Sequence, residues 1–269
     1  MRTAARVRVR WVTALLLLTL VALPYSSPPE SYARPIAIAA TNQSFNWSGY
    51  MQGRLEKGTT FHSVFATWIV PTATPHRPGE AEYSSSWIGI GGGCLDTACT
   101  LTDATLIQAG IGHDIDAAGK ADYYAWWETV PVPLVRTTLS VHAGDRVGVA
   151  IFENRVPEIW TIVIVNVTTR GLFTITLPYP STYGSAEWVI ETPLVISESG
   201  TVVSVGPMPN LSVVRFDYAR ANGASAGFVP AERIELVDLD LALIATPSLP
   251  DAQADGFNDC TYTPNCPAP

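Results

Sequence analysis

The sequence predicts an all-β protein, built as a sandwich or jelly roll. Gly (20) and Pro (21) recur along the 269 residues, so chain breakers are frequent. Between them lie short runs rich in β-branched and aromatic residues, the composition of strands. No long stretch carries a clean 3.6-residue apolar period, and no repeat of fixed length is visible.

The runs follow in order. Phe61–Val70 (FHSVFATWIV) is the first long one. Arg146–Phe152 (RVGVAIF) and Trp160–Thr168 (WTIVIVNVT) come next. Leu172–Leu177 (LFTITL) follows an Arg170-Gly171 turn, so the last two runs predict a hairpin. Ala186–Glu191, Thr201–Val205 and Ser212–Tyr218 add further strands. Strands at this spacing suit a sandwich or jelly roll. After Pro247 the strand pattern fades. Residues 249–269 read as a tail held by a cysteine loop, and residues 40–248 as one domain.

Composition excludes some functions. Apolar residues make up 47 %, enough for a sizeable core, and charged residues only 15 %. The formal charge is −8, but the positive charge is unevenly placed. Residues 1–39 hold five arginines and one glutamate. Without them, 11 basic and 23 acidic residues remain, a net of −12. Such a chain lacks the basic face that meets phosphates, so nucleic acid is not an expected partner. Docking on an anionic membrane is excluded for the same reason.

The N-terminus reads as an export signal. Arg2, Arg6, Arg8 and Arg10 precede an apolar run, Trp11–Leu23, ended by Pro24. Thirteen residues fall short of the ~20 that span a bilayer. Small residues around Ala37-Ile38-Ala39 offer cleavage sites, and residues 24–45 leave room for a short pro-segment. Residues 1–39 are therefore expected to be removed from a secreted, extracellular and soluble protein. The cysteines agree with export. Cys94 and Cys99 flank a short loop, as do Cys260 and Cys266, and two local disulfides are the expected pairing. The spacings are not those of a metal site, and His62, His76, His113 and His142 are scattered. No metal or other cofactor is expected.

Familiar catalytic motifs are missing: no Gly-x-Ser-x-Gly elbow and no His-Glu-x-x-His. Asp96-Thr97-Ala98 only faintly matches an aspartic-protease triplet. What remains is carboxylates, an amide and aromatics. Strand alternation places Glu187, Val189 and Glu191 on one face, and Trp188 and Ile190 on the other. A glutamate there must be solvated, as on an edge strand, or have a reason to be buried. Gln108 sits among apolar neighbours in Leu106–Gly110 (LIQAG). Tyr123, Tyr124, Trp126, Trp127 and Glu128 form an aromatic cluster that suits either a sandwich core or a cleft wall.

Several motifs in order resemble the eqolisin family, the glutamic peptidases. They are Asn46–Tyr50 (NWSGY), Phe65–Pro71 (FATWIVP), Ser86–Ile90 (SWIGI), Leu106–Gly110, Tyr123–Pro131 (YYAWWETVP), Ala143-Gly144-Asp145, the turn at Asn166–Gly171 and Ala186–Glu191 (AEWVIE). The resemblance spans Asn46 to Tyr218. It departs at Gly91 and Tyr124, where the family carries aspartates. It implies a concanavalin-like sandwich of two antiparallel sheets and a monomeric acid endopeptidase acting on polypeptides. Gln108 and Glu187 would be the catalytic pair. Trp47, Trp87, Trp126 and Glu128 would line the substrate cleft. An ionised glutamate can take a proton from water, and a glutamine can stabilise an oxyanion at any pH. Two other readings stay open at this point. One is a jelly-roll glycoside hydrolase using Glu128 with Glu187, since Glu187 and Glu191 on one strand would lie about 13 Å apart. The other is a non-catalytic module that binds carbohydrate or peptide.

Overall fold

The computed structural model describes residues 35–196 and 201–269. The basic and apolar segment read as an export signal lies outside them. The main strands, labelled in chain order, begin with β1 (Trp47–Gly53), β2 (Ser63–Ile69), β3 (Ser85–Gly91), β4 (Leu106–Ile115) and β5 (Ala121–Thr129). Next come β6 (Val132–Arg136), β7 (Arg146–Glu153), β8 (Ile159–Asn166), β9 (Gly171–Pro178) and β10 (Ser185–Glu191). The last are β11 (Val214–Ala221), β12 (Arg233–Val237), β13 (Leu243–Pro247) and β14 (Phe257–Thr261).

These strands form the all-β sandwich that the sequence predicts. The front sheet runs β12–β1–β10–β3–β4–β5–β6, antiparallel throughout. The back sheet runs β9–β8–β7–β2–β11–β14–β13–β12. Strand β12 belongs to both, pairing with β1 through Arg233 and Ile234 and with β13 through Leu236 and Val237. The expected hairpin is β8–β9, with Asn166 opposite Gly171.

Alternation sets the layers. Strands β2 and β8 alternate half-buried and buried residues, and β9 half-buried and exposed ones, so the back sheet shows one face to solvent. Its inner residues, among them Val64, Trp68, Val149, Ile162 and Phe216, meet Tyr50, Ile88, Ile107, Ile111, Trp188 and Ile190 of the front sheet in the main core. Strands β1, β10 and most of β3 and β4 are buried on both faces. The outer face of the front sheet carries a second cluster, including Trp47, Met51, Trp87, Leu106, Trp126 and Val189.

The segment beyond Pro247 differs from its sequence pattern. It supplies β14, which pairs with β11 and β13 and puts Phe257 in the main core against Tyr50 and Phe216. Only five residues carry the strand, and Asn258 and Asp259 interrupt its apolar run, so no pattern marks it. Asp259 accepts a hydrogen bond from Ser48 Oγ at 2.9 Å. Both local disulfides are present, Cys94–Cys99 and Cys260–Cys266. Among the described residues, no helix is long and apolar enough to cross a membrane.

Phe257→Ala should cost ~3–5 kcal/mol, the scale for a buried phenylalanine. Denaturant unfolding would measure it; a loss under 1 kcal/mol would mean that β14 packs only peripherally.

Candidate active site

Strand register fixes which side chains meet. Met51, Glu187, Gly89, Gln108 and Glu128 are successive cross-strand partners on β1, β10, β3, β4 and β5. Directly paired residues project from the same face of a sheet. Glu187 and Gln108 therefore share the outer face, two inter-strand spacings apart, ~9.5 Å between Cα atoms. Between them stands Gly89, where a Cβ would come within 2.9 Å of the Trp87 ring. The ring of Trp87 and the side chain of Leu106 close over that glycine, between the strands that carry the carboxyl and the amide.

The next row along the strands is Gly49–Val189–Trp87–Gly110–Trp126, and the one after it is Trp47–Glu191–Ser85–Gly112–Tyr124. Glycines alternate with large rings here. A Cβ on Gly110 would lie 2.4 Å from Trp87 Cβ, and one on Gly112 would lie 2.2 Å from the Tyr124 ring. The Tyr124 ring lies over Gly112 and the Trp87 ring over Gly89, and Trp47 meets Trp87 edge-on with centroids 4.9 Å apart. The aromatic cluster of β5 divides by parity. Trp126 and Tyr124 join the outer face, while Tyr123 and Trp127 pack on the main core.

All the residues expected at the site are thus on one face: Gln108, Glu187, Trp47, Trp87, Trp126 and Glu128. Each is at most 1 % exposed. The edge-strand alternative for the glutamates does not hold, because β10 lies between β1 and β3. Gln108 Nε2 donates to Glu128 Oε2 at 2.8 Å, while Gln108 Oε1 and both oxygens of Glu187 lack a hydrogen-bond partner. Unpaired buried polar atoms are costly and uncommon, and they concentrate where a protein handles a ligand. Burial pushes the Glu187 carboxyl well above the usual range, and the charge of Asp103 adds to it. Glu128 and Glu187 lie three strand spacings apart, ~14 Å between Cα atoms, with Gln108 between them. The Gln108 amide, bonded to Glu128, thus stands between the two strands where a retaining glycosidase pair needs two carboxyls facing each other.

Two segments cover this face. The loop of residues 92–105, closed by the Cys94–Cys99 disulfide, folds over Glu187. Gly93 N–H donates to Ser185 Oγ at 3.0 Å, and a Cβ on Gly93 would lie 2.6 Å from Glu187 Oε1. Asp103 anchors the loop by accepting from the N–H groups of Thr105 and Gly184 and from the Thr182 hydroxyl. The second cover is the chain at residues 35–40. Ile36 joins the cluster of Trp47, Trp87 and Trp126, and its N–H donates to Gly92 O at 2.8 Å. Asn46 holds this segment, accepting from Ala37 N–H at 2.9 Å. Its Nδ2 also donates to Glu191 Oε1, and Trp87 Nε1 donates to Glu191 Oε2 at 2.8 Å. Glu191 thus ties the tryptophan floor to the N-terminal cover. Strand alternation places it beside Glu187, but its partners come from β3 and from the residue before β1 and are invisible in sequence. Gly89 did carry a signal, since a glycine inside a strand marks close approach. Ile36 carried none.

Asp96 of the faint aspartic triplet caps a turn, accepting from the N–H and hydroxyl of Thr100. Among the described residues, one cluster has metal-like carboxylate spacing: Asp217, Asp251 and Asp255. It sits beside the back sheet, and Asp251 Oδ1 already accepts from the N–H groups of Gln253 and Asp255.

The model of the Peptidase A4 family matches residues 45–248. The fold resembles scytalido-glutamic peptidase, solved with a transition-state analogue inhibitor. The TM-score is 0.58 at 19 % identity, covering 80 % of this chain and 98 % of that one. It resembles SCP-B, a member of the eqolisin family in complex with the tripeptide Ala-Ile-His, with TM-score 0.53 at 17 % identity, covering 80 % and 98 %. It also resembles aspergilloglutamic peptidase from Aspergillus niger, with TM-score 0.51 at 21 % identity, covering 67 % and 99 %. At these identities the likeness is one of fold. No curated protein matches the sequence.

Burial gives the fold a definite pH dependence. It raises the carboxyls of Glu187 and Asp259 well above their usual range, that of Glu191 to about 8 and that of Asp114 to about 6. Groups raised by folding contribute stability fully below their unfolded value, ~4, and lose it as pH rises through the folded value. His113, buried and lowered to about 3, acts oppositely: its contribution fades as pH falls from ~6.5 towards 3. Four carboxyls outweigh one imidazole, so Tm should be higher at pH 5 than at pH 8. Glu191→Gln should remove part of that slope. A Tm that rises from pH 5 to 8 would mean that the carboxyls are solvated.

Proposed function

The chain belongs to the Peptidase A4 family, and from that premise we propose that it is a glutamic-type endopeptidase in which Gln108 and Glu187 act on the peptide bond. The observation that supports this reading is the row Glu187–Gly89–Gln108. Two buried polar side chains with unpaired atoms stand on one face either side of a glycine, beneath Trp87 and the covering segments.

Peptide hydrolysis needs an activated water, support for the oxyanion and a proton for the leaving amine. Ionised Glu187 takes the proton from water and then delivers it to the amine nitrogen. Gln108 has two amide N–H donors. One is held by Glu128 at 2.8 Å, which orients the group; the other is free to meet the oxyanion. Gln108 Oε1, unpaired, can accept from the attacking water. Trp47, Trp87 and Trp126 provide the apolar walls of the cleft for an extended polypeptide. None of these steps calls on a metal or organic cofactor.

Burial keeps a proton on Glu187 while the cleft is closed. Admitting water and substrate removes that desolvation and returns the carboxyl towards the acid range, where it can ionise. Opening requires that Ile36 leave the tryptophans. Residues 35–39 fall within the segment expected to be removed on export, so processing of a secreted monomer would clear this side of the cleft.

Three outcomes follow from the reading. The mature chain should cleave denatured protein near pH 2–4, with chelators having no effect. Glu187→Gln should abolish cleavage, and Gln108→Ala should lower kcat by about 10²–10³, the scale of a lost oxyanion donor. Full activity in either folded variant would sink the pair. A chain beginning at Ala40 should cleave faster than one beginning at Pro35; equal rates would mean that Ile36 does not obstruct the substrate.

A further inference from the structure

The outer face of the front sheet is acidic. Its strand residues include Asp114, Asp122, Glu128, Glu187 and Glu191, and one cation, Arg136. Arg136 lies on β6 opposite Trp126, so it extends the row Val189–Trp87–Gly110–Trp126 to the sheet edge. Its guanidinium sits 3.4 Å over the centroid of the Tyr124 ring. Tyr124 is held in turn: its ring covers Gly112, and its hydroxyl donates to Asp114 Oδ2 at 2.9 Å. A cation stacked on a fixed ring keeps its position without using its N–H donors on that ring.

Those donors are only partly engaged. Arg136 Nη1 donates to Asp122 Oδ2 at 2.7 Å, and Nη2 lies 3.7 Å from Asp114 Oδ2. The Arg136 side chain is 52 % exposed, so the remaining guanidinium edge is open to solvent. Asp114, Asp122 and Tyr124 are the titratable groups that act on it. Burial raises Asp114 to about 6, so well below that pH Asp114 is neutral and no longer competes as an anion for the guanidinium.

A peptide aligned with the strands between Glu187 and Gln108 would pass Trp87 and Trp126 towards Ser85 and Tyr124, and so towards this cation. Tyr124 is four residues along β5 from Glu128, ~13 Å, a span that an extended peptide covers in roughly four residues. We propose that Arg136, stacked on Tyr124, is a specificity-determining residue that receives a carboxylate of the peptide substrate about three to four residues from the scissile bond. The carboxylate comes either from an Asp or Glu side chain or from the C-terminus of a short peptide, since both present the same planar acceptor to the guanidinium fork. This rests on the peptidase reading above.

The test uses the mature protein and peptide pairs that differ by Glu against Gln at each position three or four residues to either side of the cleaved bond. A second set carries a free or amidated C-terminus at those positions. At pH 4.5 the Glu/Gln ratio of kcat/KM should be about fivefold at one of these positions, the scale of an exposed ion pair, and should fall to about one in Arg136→Gln. Arg136→Lys should keep part of the ratio. A preference for the free over the amidated terminus, without one for Glu, would assign the subsite to the C-terminus. Ratios near one at every position, or ratios that Arg136→Gln leaves unchanged, would overturn the proposal. Tryptophan fluorescence titration of Glu187→Gln with the same peptides reads the preference without turnover. A protein that binds the Glu peptide more tightly through Arg136 yet cleaves none would overturn the peptidase reading and leave this one standing. Equal binding of both peptides would overturn this one alone.

Discussion

A carboxyl and an amide held on one face of a sheet that is buried on both sides is the constraint on which the rest of this structure depends. Such a sheet must be apolar towards the main core, and Ile88, Ile107, Ala109, Ala186, Trp188 and Ile190 meet that demand. Its other face must hide Glu187 and Gln108 without supplying every polar atom with a partner. Glycines and tryptophans reconcile these needs. The glycines leave room over the strands, and the Trp87 ring over Gly89 and the Tyr124 ring over Gly112 fill it. Low polarity around Glu187 follows, and with it a carboxyl that binds its proton tightly.

The cover is part of the same constraint. The loop at 92–105 and the segment at 35–40 lie over the outer face and add to the burial that raises the Glu187 carboxyl. The loop is fixed by a disulfide and by Asp103. The N-terminal segment is fixed by Ile36, Asn46, the backbone hydrogen bonds of Ile36 with Gly92 and of Phe45 with Ala37, and a short ladder of Ile38–Ala40 with Gln43–Ser44. The two covers differ in kind: a disulfide closes the loop over the carboxyl, and none ties the segment over the tryptophans. Acidity has a meaning beyond solubility here. A net of −12 over residues 40–269, several of those carboxyls being buried, describes a molecule that loses little and gains some stability as it takes up protons.

Much of the fold was legible because strand patterns are local. Phe61–Val70, Arg146–Phe152, Trp160–Thr168, Leu172–Leu177 and Ala186–Glu191 each appear as strands shifted by at most two residues at an end. Strand β14 was not legible, because a five-residue strand with two polar residues in its middle is defined by its neighbours rather than by its own period. The parity of Glu187 and Glu191 was readable for the same local reason, whereas their burial was not: an edge strand and a central strand share one alternation, and only pairing with β1 and β3 distinguishes them.

The sequence by itself determined the strand content, the local disulfide pairing and the residue types available for chemistry, since each depends on spacing along the chain. Tertiary structure decided which of those residues meet. Gln108 and Glu187 are far apart in sequence, and their shared face comes from the register of β10, β3 and β4, with Gly89 as the interval between them. The same register brought Arg136 to Trp126 and Tyr124, and chain crossing brought Ile36 over the tryptophans. Cross-strand register is set by the packing of whole sheets, so no window of sequence contains it.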